Sequence, residues 1–226
     1  MSIGIFSFFS GAGFLDLGFE KSGFEIAYVS EINPAFIKAY HYSRQCLQLS
    51  EPQYGFHCGE SGDIVQLIKG EQALRLWQFV QDARRHSELI GFIGGPPCPD
   101  FSVGGKNRGQ HGENGKLSDT YIELILQQQP DFFLFENVKG LYRTQKHKIF
   151  FESLKEKLFQ GGYVLTERLI NALEYSVPQD RDRIILIGFR RNIITINPAC
   201  LVAFSLCQDE IRATAGHFKS QFSQLF

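Results

Sequence analysis

The 226-residue sequence predicts an α/β protein built on a doubly wound, mostly parallel sheet. Three observations predict it. Short apolar runs rich in β-formers alternate along the chain with longer amphipathic stretches. The first run turns directly into Ser10-Gly11-Ala12-Gly13 and then a helical pattern, the opening of a Rossmann-type unit. Polar and glycine residues also gather where the strands end: Gly11 and Gly13, Glu31, Cys98, Glu136, and Gln179 and Arg181 before the last strand. In an open parallel sheet that edge is where ligands bind.

Taken in order, Ile3 to Phe9 is expected as a strand buried on both faces. Leu15, Leu17, Gly18 and Phe19 open the first helix. Glu25 to Val29 forms the second strand, ending at Ser30-Glu31. An acid at that distance from Gly11 suits hydrogen bonding to ribose hydroxyls. Pro34 to His41 is expected as a helix with Pro34 at its first position, and Ser43 to Gly62 as a loop closed by Asp63-Ile64. Glu71 to His86 is the clearest amphipathic helix, with Leu74, Trp77, Phe79 and Val80 among charges. Leu89 to Ile93 is the next strand. It feeds Gly94-Gly95-Pro96-Pro97-Cys98-Pro99-Asp100-Phe101-Ser102 and a polar loop, Val103 to Lys116, holding five glycines. Asp119 to Gln129 is expected as a helix stopped by Pro130. Asp131 to Phe135 is expected as an apolar strand ending in Glu136-Asn137-Val138-Lys139, and His147 to Gln160 as a helix closed by Gly161-Gly162. Tyr163 to Ile170 and Arg183 to Phe189 are the last strands. Beyond Asn192 the pattern decays: Ile193 to Ile196 is expected as a short strand and Asp209 to Phe226 as a weakly amphipathic helix. The expected division is one domain over residues 1–191 and a tail over 192–226.

Composition narrows the function classes. A hydrophobic content of 43% supports a real core. The net charge of −1 gives no global nucleic-acid signal, so such a partner must be met by a local patch. Lys106, Arg108, Arg143, Lys146, His147 and Lys148 are the basic stretches that could meet phosphates. Five scattered cysteines with no C-x2-C pair argue against a zinc site or a disulfide framework and favour a reducing cytoplasm. The apolar runs are too short to span a bilayer. No basic segment precedes an apolar one at the start, so no secretory leader is expected.

The turn Gly11-x-Gly13 lacks a third glycine, because position 16 is Asp, and no P-loop Lys-Ser/Thr is present. That disfavours a dinucleotide or triphosphate and leaves a smaller adenosine-containing cofactor open. Cys98, between prolines at a strand end, is an odd place for a structural thiol, and with Glu136 it suggests nucleophilic catalysis with an acid nearby. Glu136, closing an apolar strand, reads either as a loop hydrogen-bonding group or as a carboxyl that carries a proton near neutral pH. Arg181 and Arg183, alternating with Asp180 and Asp182, read either as a self-neutralising surface run or as guanidinium forks for an anion or base edge. No histidine stands at a comparable strand end, which argues against a Cys–His protease pair.

With these pieces assembled, the chain resembles the cytosine carbon-5 DNA methyltransferases over about residues 3–191. Phe9-Ser10-Gly11-Ala12-Gly13 looks like their first cofactor motif, and Gly95-Pro96-Pro97-Cys98 through Ser102 like the catalytic Pro-Cys motif. Glu136-Asn137-Val138 matches Glu-Asn-Val, and Gln179-x-Arg181-x-Arg183 matches Gln-x-Arg-x-Arg, in the same order and at similar spacing. The resemblance implies a Rossmann-like fold of the S-adenosylmethionine-dependent methyltransferase type, a role in restriction-modification, double-stranded DNA as partner, and no metal. It implies that Phe9 packs on the adenine of S-adenosylmethionine while Ser10, Gly11 and Gly13 let the backbone approach its methionine part. Glu31 would hold the ribose, Ile32 cover the adenine, Asp63 and Ile64 reach the adenine edge, and Leu117 line the pocket. Cys98 would attack carbon-6 of a flipped cytosine. Glu136 would bind and protonate N3, Arg183 would hold the base carbonyl with Arg181 beside it, and Pro97, Asn137 and Gln179 would adjoin the base.

Two departures stand out. Pro99 occupies a position where the family commonly has Gln. The family also continues into a target-recognition domain and two final motifs, none of which is found here. The reading that follows is the catalytic lobe of a split or truncated methyltransferase, with a second polypeptide as one source of those parts. Two others stay open: an RNA (tRNA) cytosine-5 methyltransferase, and a non-catalytic remnant that keeps the cofactor fold.

Overall fold

The computed structural model describes residues 2–55, 62–97 and 113–196. Its strands are β1 (Ile3–Phe8), β2 (Glu25–Ser30), β3 (Tyr54–Gly55), β4 (Leu89–Gly94), β5 (Phe132–Val138), β6 (Tyr163–Asn171) and β7 (Asp182–Arg190). They form one seven-stranded sheet in the order β3-β2-β1-β4-β5-β7-β6. β1 to β5 pair in parallel, and β7 runs antiparallel to both β5 and β6. The connection from β6 to β7 is too short for a crossover, so the chain must fold back as a hairpin. The mostly parallel sheet expected from the alternation is therefore present.

The helices are α1 (Phe14–Lys21), α2 (Pro34–Leu47), α3 (Ile64–Leu67), α4 (Gly70–Ala83), α5 (Glu113–Gln128), α6 (Gln145–Gln160) and α7 (Arg191–Ile196). They lie on both faces of the sheet. Even-numbered positions of β1 (Phe6, Phe8) share a core with α3, α4, α5 and α6, while Ile3 and Ile5 share the other with α1 and α2. The high phenylalanine count has a physical use. Phe6 and Phe8 of β1 each pack on Tyr28 of β2 and Phe92 of β4, with ring centroids 5.0–5.6 Å apart. Each fully buried ring contributes about 2 kcal/mol. No helix among the described residues is long and apolar enough to cross a membrane.

Several boundaries differ from the sequence-based expectation. α2 continues past His41 to Leu47 because Arg44, a surface residue by composition, is buried and grips Glu20. Within the stretch expected as loop, β3 adds an edge strand. α3 begins at Ile64 because Asp63 caps it, accepting from the Val65 N–H at 3.0 Å. Ile193 to Ile196, expected as a strand, belongs to a helix. Arg191 starts it by donating its N–H to the Gly162 carbonyl at 2.9 Å and stacking on Phe159, and that anchoring overrides the β-propensity of the isoleucines. The expected helix over Asp209 to Phe226 lies outside the described residues.

Register sets the position of the site. Phe8 lies level with Ser30 of β2 and Gly94 of β4, and Gly94 lies level with Phe135 of β5. Phe9, Glu31 and Gly95 therefore leave β1, β2 and β4 at one edge, level with Glu136 where β5 runs past the end of β4. The strand order reverses between β1 and β4, which makes that edge the topological switch point.

Candidate active site

At the exit of β1, Phe9 adopts left-handed backbone (φ 54°), which costs a residue bearing a Cβ about 1 kcal/mol. Its ring stands edge-on to Tyr121 of α5 at 6.1 Å. Gly11 is also left-handed (φ +56°), and a Cβ there would meet nothing within 4 Å, so open space lies against this backbone. Glu31, 8% exposed, spans the turn. One carboxylate oxygen accepts the Gly11 N–H at 2.9 Å and the other accepts the Asn33 N–H at 2.8 Å. Asn33 is itself the cap of α2, accepting from the Ala35 N–H at 2.9 Å. The Ser30 hydroxyl donates to the Gly62 carbonyl at 3.0 Å and so draws the Gly62-Asp63 segment against β2. A Cβ on Gly62 would collide with the Glu31 carbonyl.

The remaining residues expected around a cofactor are placed as follows. Ile64 is buried, Leu117 is half-buried against the core, and Ile32 is 64% exposed directly after Glu31. The Ser10 hydroxyl is buried without a hydrogen-bond partner. An anchored carboxylate with lone pairs to spare, open space over Gly11, an orphaned buried hydroxyl and an exposed apolar Ile32 fit an adenosine-containing group. At Gly13 the lack of a side chain serves a different purpose, because a Cβ would lie 2.7 Å from ring atoms of Tyr40.

The second half of the site forms where β4 and β5 end beside β7. Glu136 and Arg183 lie diagonally across the β5–β7 ladder on one face, where Glu136 faces Ile185 and Val138 faces Arg183. The Arg183 Nε lies 2.7 Å from Glu136 Oε1. The carboxyl that the sequence places in an apolar setting is thus met by a guanidinium. A Cβ at Gly95 would come within 2.8 Å of Glu136 Oε2, so the glycine gives the carboxylate its room. Asn137, expected beside the base, is 2% exposed. Its amide donates to the Pro96 carbonyl at 3.4 Å, and its side-chain oxygen accepts the Val138 N–H at 2.8 Å. Asn137 therefore clips the β4 exit to β5. Pro97 is exposed at the end of that exit. Cys98 and Pro99 lie outside the described residues.

Gln179 and Arg181 are exposed in the connection before β7, and the Arg181 carbonyl accepts the Ala172 N–H at 3.1 Å. The alternating charges there do not neutralise one another. Asp182 takes Lys139 at 2.9 Å and the Asn171 amide at 2.9 Å, which holds its carboxyl below the usual range, while Arg183 turns to Glu136. Among the described residues, no group of three or more His, Cys, Asp or Glu could hold a metal ion.

Sequence reasoning did not single out Tyr121 or Asn33, and placed Gly95 in the Pro-Cys motif without a role of its own. Tyr121 reads as one apolar residue among several in α5, yet it also packs against Gly94 at the head of the Pro-Cys segment. Asn33 carried a usable signal, an Asn directly before a proline that opens a helix.

Comparison with known proteins gives the same family from independent directions. A family model described as C-5 cytosine-specific DNA methylase matches residues 72–220. The chain is 59% identical over 185 residues to the type II methyltransferase M.NmeDI of Neisseria meningitidis serogroup C, covering 82% of this chain and 43% of that protein. It is 37% identical over 190 residues to the type II methyltransferase M.NgoPII of Neisseria gonorrhoeae, covering 84% of this chain and 48% of that one. The chain thus spans about half the length of the curated relatives it matches. Among solved structures, a protein described as a DNA modification methyltransferase from an Escherichia coli prophage superposes with a TM-score of 0.60 at 24% identity, covering 84% of this chain and 47% of that one. The Schizosaccharomyces pombe Dnmt2 methyltransferase superposes with a TM-score of 0.58 at 15% identity, covering 84% and 50%. Both likenesses are of fold.

Proposed function

Because the chain belongs to the C-5 cytosine-specific DNA methylase family, we propose that it is the catalytic and cofactor-binding lobe of a DNA (cytosine-5-)-methyltransferase of a restriction-modification system. Its substrates in this reading are S-adenosylmethionine and a cytosine flipped out of double-stranded DNA. The observation that carries the proposal is the alignment of Phe9, Glu31, Gly95 and Glu136 at adjacent strand ends, with Arg183 paired to Glu136.

The cofactor, when bound, supplies an electrophilic methyl group. The chain's residues hold it: Glu31 at the ribose, Gly11 and Ser10 at the methionine part, and Phe9, Ile32, Asp63, Ile64 and Leu117 around the adenine. The base needs separate activation, because an aromatic ring is a poor methyl acceptor until a nucleophile breaks its conjugation. Cys98 forms a bond to carbon-6 as a thiolate. Glu136 holds a proton at N3, so the electron pair released by attack reaches carbon-5 rather than building charge on the ring. Arg183 steadies the Glu136 carboxyl and the base carbonyl. After carbon-5 has accepted the methyl group, leaving S-adenosylhomocysteine, its proton leaves to a base, the Cys98–carbon-6 bond breaks and the N3 proton returns to Glu136, restoring the ring and the thiolate.

We also propose that target recognition and the last motifs are supplied from outside these 226 residues, which span about half the length of the relatives. The test is transfer of a labelled methyl group from S-adenosylmethionine to double-stranded DNA or to tRNA, with and without a candidate complementing chain. Labelled DNA that depends on the second chain is the expected result. Labelled tRNA alone overturns the substrate assignment. Robust site-specific DNA methylation by this chain alone overturns the need for a partner.

A further inference from the structure

Behind the glycine turn lies a buried polar cluster that the roles above leave unused. Gly13 (φ +87°) has its Cβ position filled by the ring of Tyr40 from α2. The Tyr40 hydroxyl donates to Asp16 Oδ2 at 3.0 Å, and the Ser7 hydroxyl of β1 donates to Asp16 Oδ1 at 2.6 Å. Asp16 stands in the first turn of α1 and is 0% exposed. Arg44 donates to the Tyr40 hydroxyl at 3.2 Å and forks onto Glu20 of α1 at 2.7 and 3.0 Å. β1, α1 and α2 therefore meet at one carboxylate directly behind the turn. Glu31 and Asn33 tie α2 to the same turn a second time, at its N-terminus.

A carboxylate is a costly choice for such a place. Burial pushes Asp16 up to about 6, against the pull of the Ser7 and Tyr40 hydrogen bonds and of Arg44, with Glu20 adding to the rise. A raised carboxyl is linked to stability in one direction. Its contribution is fully present below the unfolded-state value and is lost as pH rises through about 6. At neutral pH the ionised Asp16 thus weakens the fold, where a neutral residue would not. What it supplies instead is two directed acceptors that fix the rotation of α1 and the seat of the Tyr40 ring under Gly13.

We infer that Asp16 and Tyr40 are positioning residues for cofactor binding, holding the Gly11–Gly13 turn at the spacing from Glu31 that an adenosine-containing methyl donor requires. The inference rests on the cofactor reading proposed above, and both residues act through the backbone of Gly13. The test is calorimetric binding of S-adenosylhomocysteine to the full chain and to Tyr40→Phe, Asp16→Asn and Glu31→Ala, with thermal unfolding in parallel. Tyr40→Phe and Asp16→Asn are expected to weaken binding about tenfold, the scale seen when a supporting partner of a binding group is removed. The Tm of Asp16→Asn at pH 7.5 is expected to equal or exceed that of the parent. Parent affinity is expected to fall as pH drops through about 6, while Asp16→Asn stays flat. Should Asp16→Asn fail to fold, Tyr40→Phe, which removes a single hydroxyl, still decides. Parent-like affinity in the folded variants overturns the positioning role. A parent chain that does not bind, or a Glu31→Ala chain that binds equally well, overturns the cofactor reading itself.

Discussion

One acid directly precedes β5 and another lies toward its end, and the two are expected to do different jobs. Asp131, at the strand's entry, is 4% exposed. It accepts from Arg84 at 2.6 Å and from the Ile90 N–H at 2.8 Å, which fastens β5 to β4 and α4 at the edge away from the site. Glu136, at the exit, faces Arg183 and the space beside Gly95. Substitution should separate the two roles. Asp131→Ala strands a buried N–H and a half-buried guanidinium, and should cost about 2 kcal/mol in urea unfolding after allowance for the exposure of Arg84. Glu136→Gln keeps the size of a partly exposed side chain and should leave the unfolding midpoint nearly unchanged, while methyl transfer in the complemented system falls about 10²–10⁴-fold. Equal effects of the two substitutions on stability and on rate would contradict the division of roles.

Among the elements, the strands and their ends were legible and the edges of helices were not. β1 and β4 are buried along their whole length and β5 at Phe132, Phe133 and Phe135, so their inner stretches read as nearly continuous apolar runs. The site residues at their tips were legible for the same reason, because a charge or glycine ending such a run interrupts its pattern. Arg44 and Asp16 were illegible in their roles, since each is polar by type and becomes a core residue only through partners on other elements. Glycines inside strands were equally silent. A Cβ on Gly91 of β4 would run into the Phe132 ring of β5, so Gly91→Ala should destabilise the chain by about 1–3 kcal/mol through overpacking. It should also leave S-adenosylhomocysteine affinity unchanged in the folded fraction, because Gly91 lies within the strand rather than at its tip. A thermal melt with parallel calorimetry checks both.

On the scale of the whole molecule, one sheet edge collects the residues proposed for the cofactor, on β1 and β2, and those proposed for the base, on β4, β5 and β7. The two halves share Tyr121, which packs on Phe9 and on Gly94. A net charge of −1 leaves the proposed DNA contact to local groups such as the exposed Arg181. The described residues of this edge end at Pro97, directly before Cys98, and the proposal turns on Cys98 as the nucleophile. Its most direct measurement is covalent trapping on double-stranded DNA containing 5-fluorocytosine, with S-adenosylmethionine and a complementing chain present. Fluorine at carbon-5 cannot leave as a proton does, so the adduct should persist. The account expects a denaturation-resistant complex whose mass equals chain, DNA and one methyl group, with the crosslink mapped to Cys98 and lost in Cys98→Ser. No adduct even with the complementing chain, or an adduct that survives Cys98→Ser, would contradict it.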